Sequence, residues 1–234
     1  AGNFGSRILI PAFKACGAQL KVIATSSGVS GVIHGEKAGF GEAVADTELL
    51  LADTSVNTVA IVTRHDSHAP LTAKALAAGK NVFVEKPLAI TTEQLDMVRD
   101  AWENVQTARL MVGFNRRFAP HSTKFKALLD TVKEPKSFIM TVNAGAIPAD
   151  HWTQDKNVGG GRIIGEACHF IDLMRFFAGA KITGVKAVRM GDAAGPAEAE
   201  DKAAITLTFA DGSFGTIHYL ANGAQDFPKE RIEA

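Results

Sequence analysis

The sequence predicts an α/β protein: a doubly wound parallel sheet, then a second α+β domain with a largely antiparallel sheet. Three observations carry this prediction. Short, mostly apolar runs alternate with helical patterns from Lys21 to Asn115, as expected of strands buried on both faces of a parallel sheet. After Asn115 strand patterns follow one another directly. Asp211-Gly212 joins two of them through a tight turn, which makes them antiparallel. The predicted domains are residues 1–118 and 119–234. With 46% hydrophobic and 21% charged residues, the 234-residue chain has a globular composition.

In the first half, strands are expected at 21–26, 56–63, 81–85 and 109–115. Thr91 and Gln94 form a capping box, and Leu95, Val98, Trp102 and Val105 follow at helical spacing. Residues 71–78 form an Ala/Leu-rich helix that stops at Gly79, and 47–52 a shorter one opened by Asp46 or Thr47. In the second half Pro120 suits a first helical turn, with Phe125, Leu128, Leu129 and Val132 as its apolar face. Strands are expected at 136–145, 183–190, 203–209 and 213–220, and a helix at 162–178. Residues 191–200 form a polar loop.

Gly2-Asn3-Phe4-Gly5 reads as the end of a G-x-G-x-x-G turn, the fingerprint of a Rossmann dinucleotide site. Its first glycine and its strand would lie before Ala1, so the expectation is that the first strand is missing from this chain and that residues precede it. Pro11 falls inside the helix that follows and should bend it. Thr25-Ser26-Ser27 stands where the usual acidic ribose ligand would be. Without that carboxylate a 2′-phosphate is not repelled, so either NAD or NADP is allowed.

The balance of 25 Lys+Arg against 25 Asp+Glu argues against a nucleic-acid binder. No run of 18 apolar residues predicts a membrane span, and no signal peptide opens the chain. Two cysteines are too few for a disulfide scaffold, so a cytoplasmic setting is expected.

Glu85-Lys86-Pro87 ends the strand at 81–85. Ligands of doubly wound sheets bind at strand C-termini, and a lysine held there between a carboxylate and a rigid proline is a candidate acid/base. For an arbitrary Glu-Lys-Pro, a surface ion pair before a turn is the simpler account. The surrounding residues change that weighting. Residues 79–89 (GKNVFVEKPLA) resemble the signature of the Gfo/Idh/MocA oxidoreductases. The resemblance extends in order through the Gly2–Gly5 turn, Gly113-Phe114-Asn115-Arg116-Arg117-Phe118, and Gly159-Gly160-Gly161 followed by His169-Phe170-Ile171-Asp172. Residues 63–68 (TRHDSH) look most like the branch in which this module is fused behind a zinc-type dehydrogenase module.

The resemblance implies a nicotinamide-dependent dehydrogenase of a sugar, nucleotide sugar or cyclitol, working as a homo-oligomer with no membrane partner. It implies Lys86 as the acid/base, positioned by Glu85 and Pro87. Gly2, Asn3, Phe4 and Gly5 would hold the pyrophosphate, and Thr25, Ser26, Ser27, Thr63, His65, His68 and Asn115 would lie along the cofactor. Arg116, Arg117, Trp152 and Asp172 would meet the substrate. The family commonly carries an aspartate four residues before its histidine. Here that position is Gly165, and Glu166 lies three residues before His169, where the two still share a helix face. Glu166 is a candidate to orient His169 in the catalytic group, the alternative being that it points elsewhere and leaves Lys86 and His169 as the catalytic pair. The alternative function is a regulatory or structural NAD(P)-binding module without turnover.

Other candidates have simpler readings. His65 and His68 lack a clear third ligand, so no metal site is expected. Cys168 is most simply a buried thiol and Trp152 either core or a sugar-stacking wall. Phe170, Met174 and Phe177 read as core.

Overall fold

In a computed structural model the chain forms two compact units, Ala1–Gly113 and Phe114–Ala234. The structure describes residues 4–25, 28–105, 107–191, 201–224 and 226–234. The predicted loop at 191–200 lies outside them from residue 192 onward, as do Gly2, Asn3, Ser26 and Ser27.

In the first unit β1 (Val22–Ala24) pairs in parallel with β2 (Glu42–Val44). A second parallel sheet has the order β3 (Thr58–Ile61), β4 (Asn81–Val84), β5 (Leu110–Val112). These are the predicted strands, trimmed at their ends, plus β2, whose three-residue run is too short to show a period.

Helices occupy the segments between strands. A π-helical turn, Gly5–Leu9, runs into α1 (Ile10–Ala15). The N–H of Ile10 reaches back to the carbonyl of Gly5, and Pro11 falls in the first turn of α1, directly after the π-helical turn. The wide turn thus accommodates the proline expected to bend a regular helix. α2 (Gly28–Ala38) precedes β2. α3 (Thr47–Ala52) is capped by Asp46, which accepts from the N–H of Glu48 at 2.9 Å. α4 (His68–Ala77) precedes β4. α5 (Thr92–Glu103) has its expected cap: Thr91 accepts from the N–H of Gln94 at 3.2 Å. Gln94 reaches back one residue further than the box requires, accepting from the N–H of Ile90 at 2.9 Å.

Val98 is buried, but Leu95 and Trp102 are about half exposed, because α5 packs through Val98 and Ala101, with Val105 just beyond its end. Lys80 is an unanticipated strut. Its ammonium is buried and donates to the carbonyls of Asp53 (2.7 Å) and Val56 (2.8 Å), joining the end of α3 to the start of β4.

The first α-helix of the second unit is α6 (Pro120–Leu129), which packs on the core through partly buried Phe125 and Leu129, with Leu128 and Val132 at least half exposed. Its five-stranded sheet has the order β10 (Glu230–Glu233), β6 (Ser137–Asn143), β9 (Phe214–Leu220), β8 (Lys202–Phe209), β7 (Ile182–Arg189). All neighbours are antiparallel except β6 and β9. β10, absent from the predicted strands, is a short polar edge strand. α7 (Cys168–Ala178) lays Phe170, Leu173, Met174 and Phe177 against one face of the sheet, each at most 1% exposed. Gly215 in β9 sits under this contact. A β-carbon there would lie 2.6 Å from Cβ of Phe138 and 2.8 Å from Sδ of Met174. Gly215→Ala is expected to destabilise the unit by about 1–3 kcal/mol through overpacking. An unchanged urea midpoint would refute this. No helix among the described residues is long and apolar enough to cross a membrane.

Candidate active site

In the β3-β4-β5 sheet, register places Ile61, Val84 and Val112 side by side. The segments that leave this edge start at Val62, Glu85 and Gly113. His68 ties two of them together. It is 1% exposed, with Nδ1 2.7 Å from the carbonyl oxygen of Pro87 and Nε2 3.1 Å from that of Thr63. A neutral imidazole has one N–H and donates to one of these carbonyls at a time. Burial holds the His68 pKa below the ordinary histidine value, against the pull of both carbonyls. His68 therefore pins either the turn that carries Thr63 or the one that carries Lys86, according to its tautomer, and both ring nitrogens face the protein. His65, its ring 5.6 Å away, is also buried.

Lys86 is half-buried, and the Lys86–Pro87 peptide bond is cis. Glu85 is half-buried beside it. Desolvation raises its pKa, and the charge of Lys86 opposes the rise. Gly113 makes room for this carboxyl: a β-carbon there would stand 2.8 Å from Glu85 Oε1. Thr63 is exposed, with its hydroxyl 2.6 Å from Ser67 Oγ. Thr25, just beyond β1, donates its N–H to the Val44 carbonyl at 3.2 Å.

These residues fit a dinucleotide. Gly5 is buried at the start of its helix, and the first turn carries no acidic side chain, so its backbone N–H groups face no built-in anion where a pyrophosphate would be held. Phe4, by contrast, is 43% exposed. Among the described residues no group of three His, Cys, Asp or Glu could hold a metal ion.

In the second unit Asn115, Arg116 and Arg117 begin a 3₁₀ turn, Asn115–Phe118. Asn115 is exposed. Arg116 pairs with Glu230 at 2.9 Å and lies over the Phe170 ring at 4.6 Å. Arg117 grips Asp172 through both Nε (2.9 Å) and Nη2. Asp172, expected to meet a substrate, is thus taken up in fixing Arg117. Trp152 is half-buried in a second 3₁₀ turn, Trp152–Gln154, its ring 5.9 Å from that of His151. Cys168 is half-buried rather than fully enclosed.

The largest departure from expectation is Glu166. Its Oε2 accepts from Tyr219 Oη (2.6 Å) and Arg162 Nη2 (2.8 Å), and its Oε1 lies 3.6 Å from Lys229 Nζ. Arg162, 6% exposed, also donates to the Gly145 carbonyl. Burial would raise the Glu166 pKa, but hydrogen bonds from Tyr219 and Arg162, and the charges of Arg162 and Lys229, outweigh it and hold the carboxyl down at about 2. Burial and the same carboxylate push the Tyr219 hydroxyl upward. The one-face rule for positions 166 and 169 assumes a regular α-helix. Here a π-helical turn, Ile163–Ala167, precedes α7 and gives Glu166 its own partners. His169 is 8% exposed in the first turn of α7, with the Phe114 ring nearly edge-on at 6.2 Å.

Parallel sheets flanked by helices, followed in the same chain by an α+β unit, are the arrangement of a two-part nucleotide-binding protein of the Rossmann type. The chain belongs to the Gfo/Idh/MocA oxidoreductase family. Residues 1–114 match the model of its NAD-binding Rossmann fold and residues 133–233 that of its C-terminal domain. Inositol 2-dehydrogenase of Rhizobium meliloti (strain 1021) is 27% identical over 206 residues, 86% of this chain and 61% of that protein. Myo-inositol 2-dehydrogenase of Thermotoga maritima is 28% identical over 187 residues, 78% of this chain and 55% of that protein. The fold is shared with levoglucosan dehydrogenase in complex with NADH and levoglucosan: TM-score 0.84, 24% identity, covering 100% of this chain and 69% of that one. The chain thus spans between 55% and 61% of the length of these two curated relatives.

Proposed function

We propose that the chain is the core of an NAD(P)-dependent dehydrogenase that oxidises a secondary hydroxyl of a cyclitol or sugar. The observation that carries this reading is Lys86, half-buried beside Glu85 at the functional edge of the sheet, on a turn whose Pro87 carbonyl is clamped by buried His68. The two inositol dehydrogenase relatives support the substrate class.

Bound nicotinamide supplies the hydride acceptor, since no side chain can carry hydride. Lys86 Nζ takes the hydroxyl proton in oxidation and returns it to the carbonyl oxygen in reduction. Glu85 shapes the local field around that nitrogen. His68 fixes the loop geometry, and Thr63 with the Gly5 turn contacts the dinucleotide. His169, in the second unit, is the second acid/base candidate. A non-catalytic nucleotide-binding module is the second reading. It is favoured by one observation: Glu166, three residues before His169, is committed to Tyr219 and Arg162.

Calorimetry with NAD and NADP, followed by NADH formation on myo-inositol and a panel of sugars, tests both. Cofactor binding with turnover is expected. Binding without turnover on any polyol would select the second reading, and no binding of either dinucleotide would refute both.

A further inference from the structure

In the second unit, a groove of about 350 Å³ is lined by Arg117, Lys126, Arg175, Phe176 and Lys181 at the end of α7. We propose that this groove is a binding site for a dianionic phosphoryl group, on a phosphate monoester or as free phosphate. Nothing in the proposed dehydrogenase chemistry uses Arg175 or Lys181, so the inference stands apart from that reading.

Charge and preorganisation carry the argument. Four cationic side chains line the groove, and two have carboxylate partners: Arg117 pairs with Asp172 and Lys126 with Asp130. The remaining excess is two positive charges, the charge of a phosphate monoester above its second pKa of about 6. Among the described residues Arg175 and Lys181 have no ion-pair partner.

The groove also contains a fixed recognition element. The Asp172 side chain is only 9% exposed and holds Arg117 through Nε and Nη2. A guanidinium carries five N–H donors, so its Nη1 group stays unused while its plane is fixed. A donor held in this way loses little entropy when an anion binds. Phe176 draws two of the cations to its ring, with Arg117 Cζ 5.4 Å and Lys126 Nζ 5.9 Å from its centroid. The C-terminal end of α7 contributes partial negative charge. That accounts for one basic residue in the last turn, Arg175, but not for Lys181 or for the locked Arg117.

The test is a titration of the protein with glycerol phosphate and, separately, with inorganic phosphate, read by calorimetry at low salt. Saturable one-to-one binding with Kd on the order of 1 mM is expected. It should weaken at least tenfold in the double variant Arg175→Gln, Lys181→Gln. It should also weaken as pH falls through about 6 and the monoester loses its second charge. Both substituted residues are exposed, and circular dichroism verifies the fold of the variant. Tighter binding of the monoester points to an organic ligand, and equal binding to free phosphate. Absence of saturable binding overturns the site. So does binding unchanged in the double variant, which would belong to the Gly5 turn of the first unit.

Discussion

Lys86→Ala is expected to lower kcat by about 10²- to 10⁴-fold, the range for loss of a positioned acid/base. The fold should persist. Lys86 is half-buried on a turn held by its backbone and by His68, and it is no part of the hydrophobic core. If the lysine acts only in the transition state, kcat and kcat/KM should fall together. Lys86→Arg separates proton transfer from simple charge. Arginine keeps the positive charge but does not release its proton, so this variant should be as impaired as alanine. Activity within tenfold of wild type in Lys86→Arg would leave Lys86 as an electrostatic contact and not an acid/base.

The second large effect concerns acid stability. The Glu166 carboxyl sits at about 2 in the folded chain against an ordinary 4.5. A depressed folded pKa stabilises the native state above the unfolded value, so the contribution is fully present above about pH 4.5. It disappears as pH falls toward 2, because the unfolded chain takes up the proton first. At 1.36 kcal/mol per pKa unit the amount is about 3 kcal/mol. Urea unfolding over a pH series should show this loss. Glu166→Gln should flatten that part of the profile. It should also cost about 3–5 kcal/mol at neutral pH, because Arg162, 6% exposed, is left without its charge partner. A profile in Glu166→Gln that matches the wild type would show that other carboxylates govern acid unfolding.

Much of the fold was legible because it follows local rules. Thr91 caps α5, Asp46 caps α3 and Asp211-Gly212 turns β8 into β9, each a short-range bond pattern written in a few residues. Apolar runs announced β1, β3, β4 and β5, but exposed Ala60 and Met111 show that β3 and β5 are not buried on both faces as their composition suggested. β2 and β10 did not, because Glu42-Ala43-Val44 and the polar edge strand Glu230–Glu233 are too short to show a period.

The site was legible at Glu85-Lys86-Pro87, where chemistry and strand end coincide in sequence. The roles of Glu166, Asp172 and His68 were not. Their partners Tyr219, Arg117 and Pro87 stand 53, 55 and 19 positions away. Spacing along a helix says which face a side chain occupies and nothing about what the fold brings to that face. Lys80 is the plainest case, since a lysine caged by two carbonyls looks in sequence like any surface lysine.

The parallel pairing of β6 with β9 also imposes an order of assembly. Lys136, before β6, donates its N–H to Ser213 Oγ, 77 positions along the chain. During synthesis β6 emerges first and waits, with its apolar face unpaired, while α7, β7 and β8 are made. The hairpin of β8 and β9 forms as a local event, but β6 joins only once β9 has left the ribosome. For that interval the nascent second unit exposes Phe138, Met140 and Val142, all buried at the end. The time taken to translate residues 144–220 bounds how long the half-made sheet stays open to aggregation.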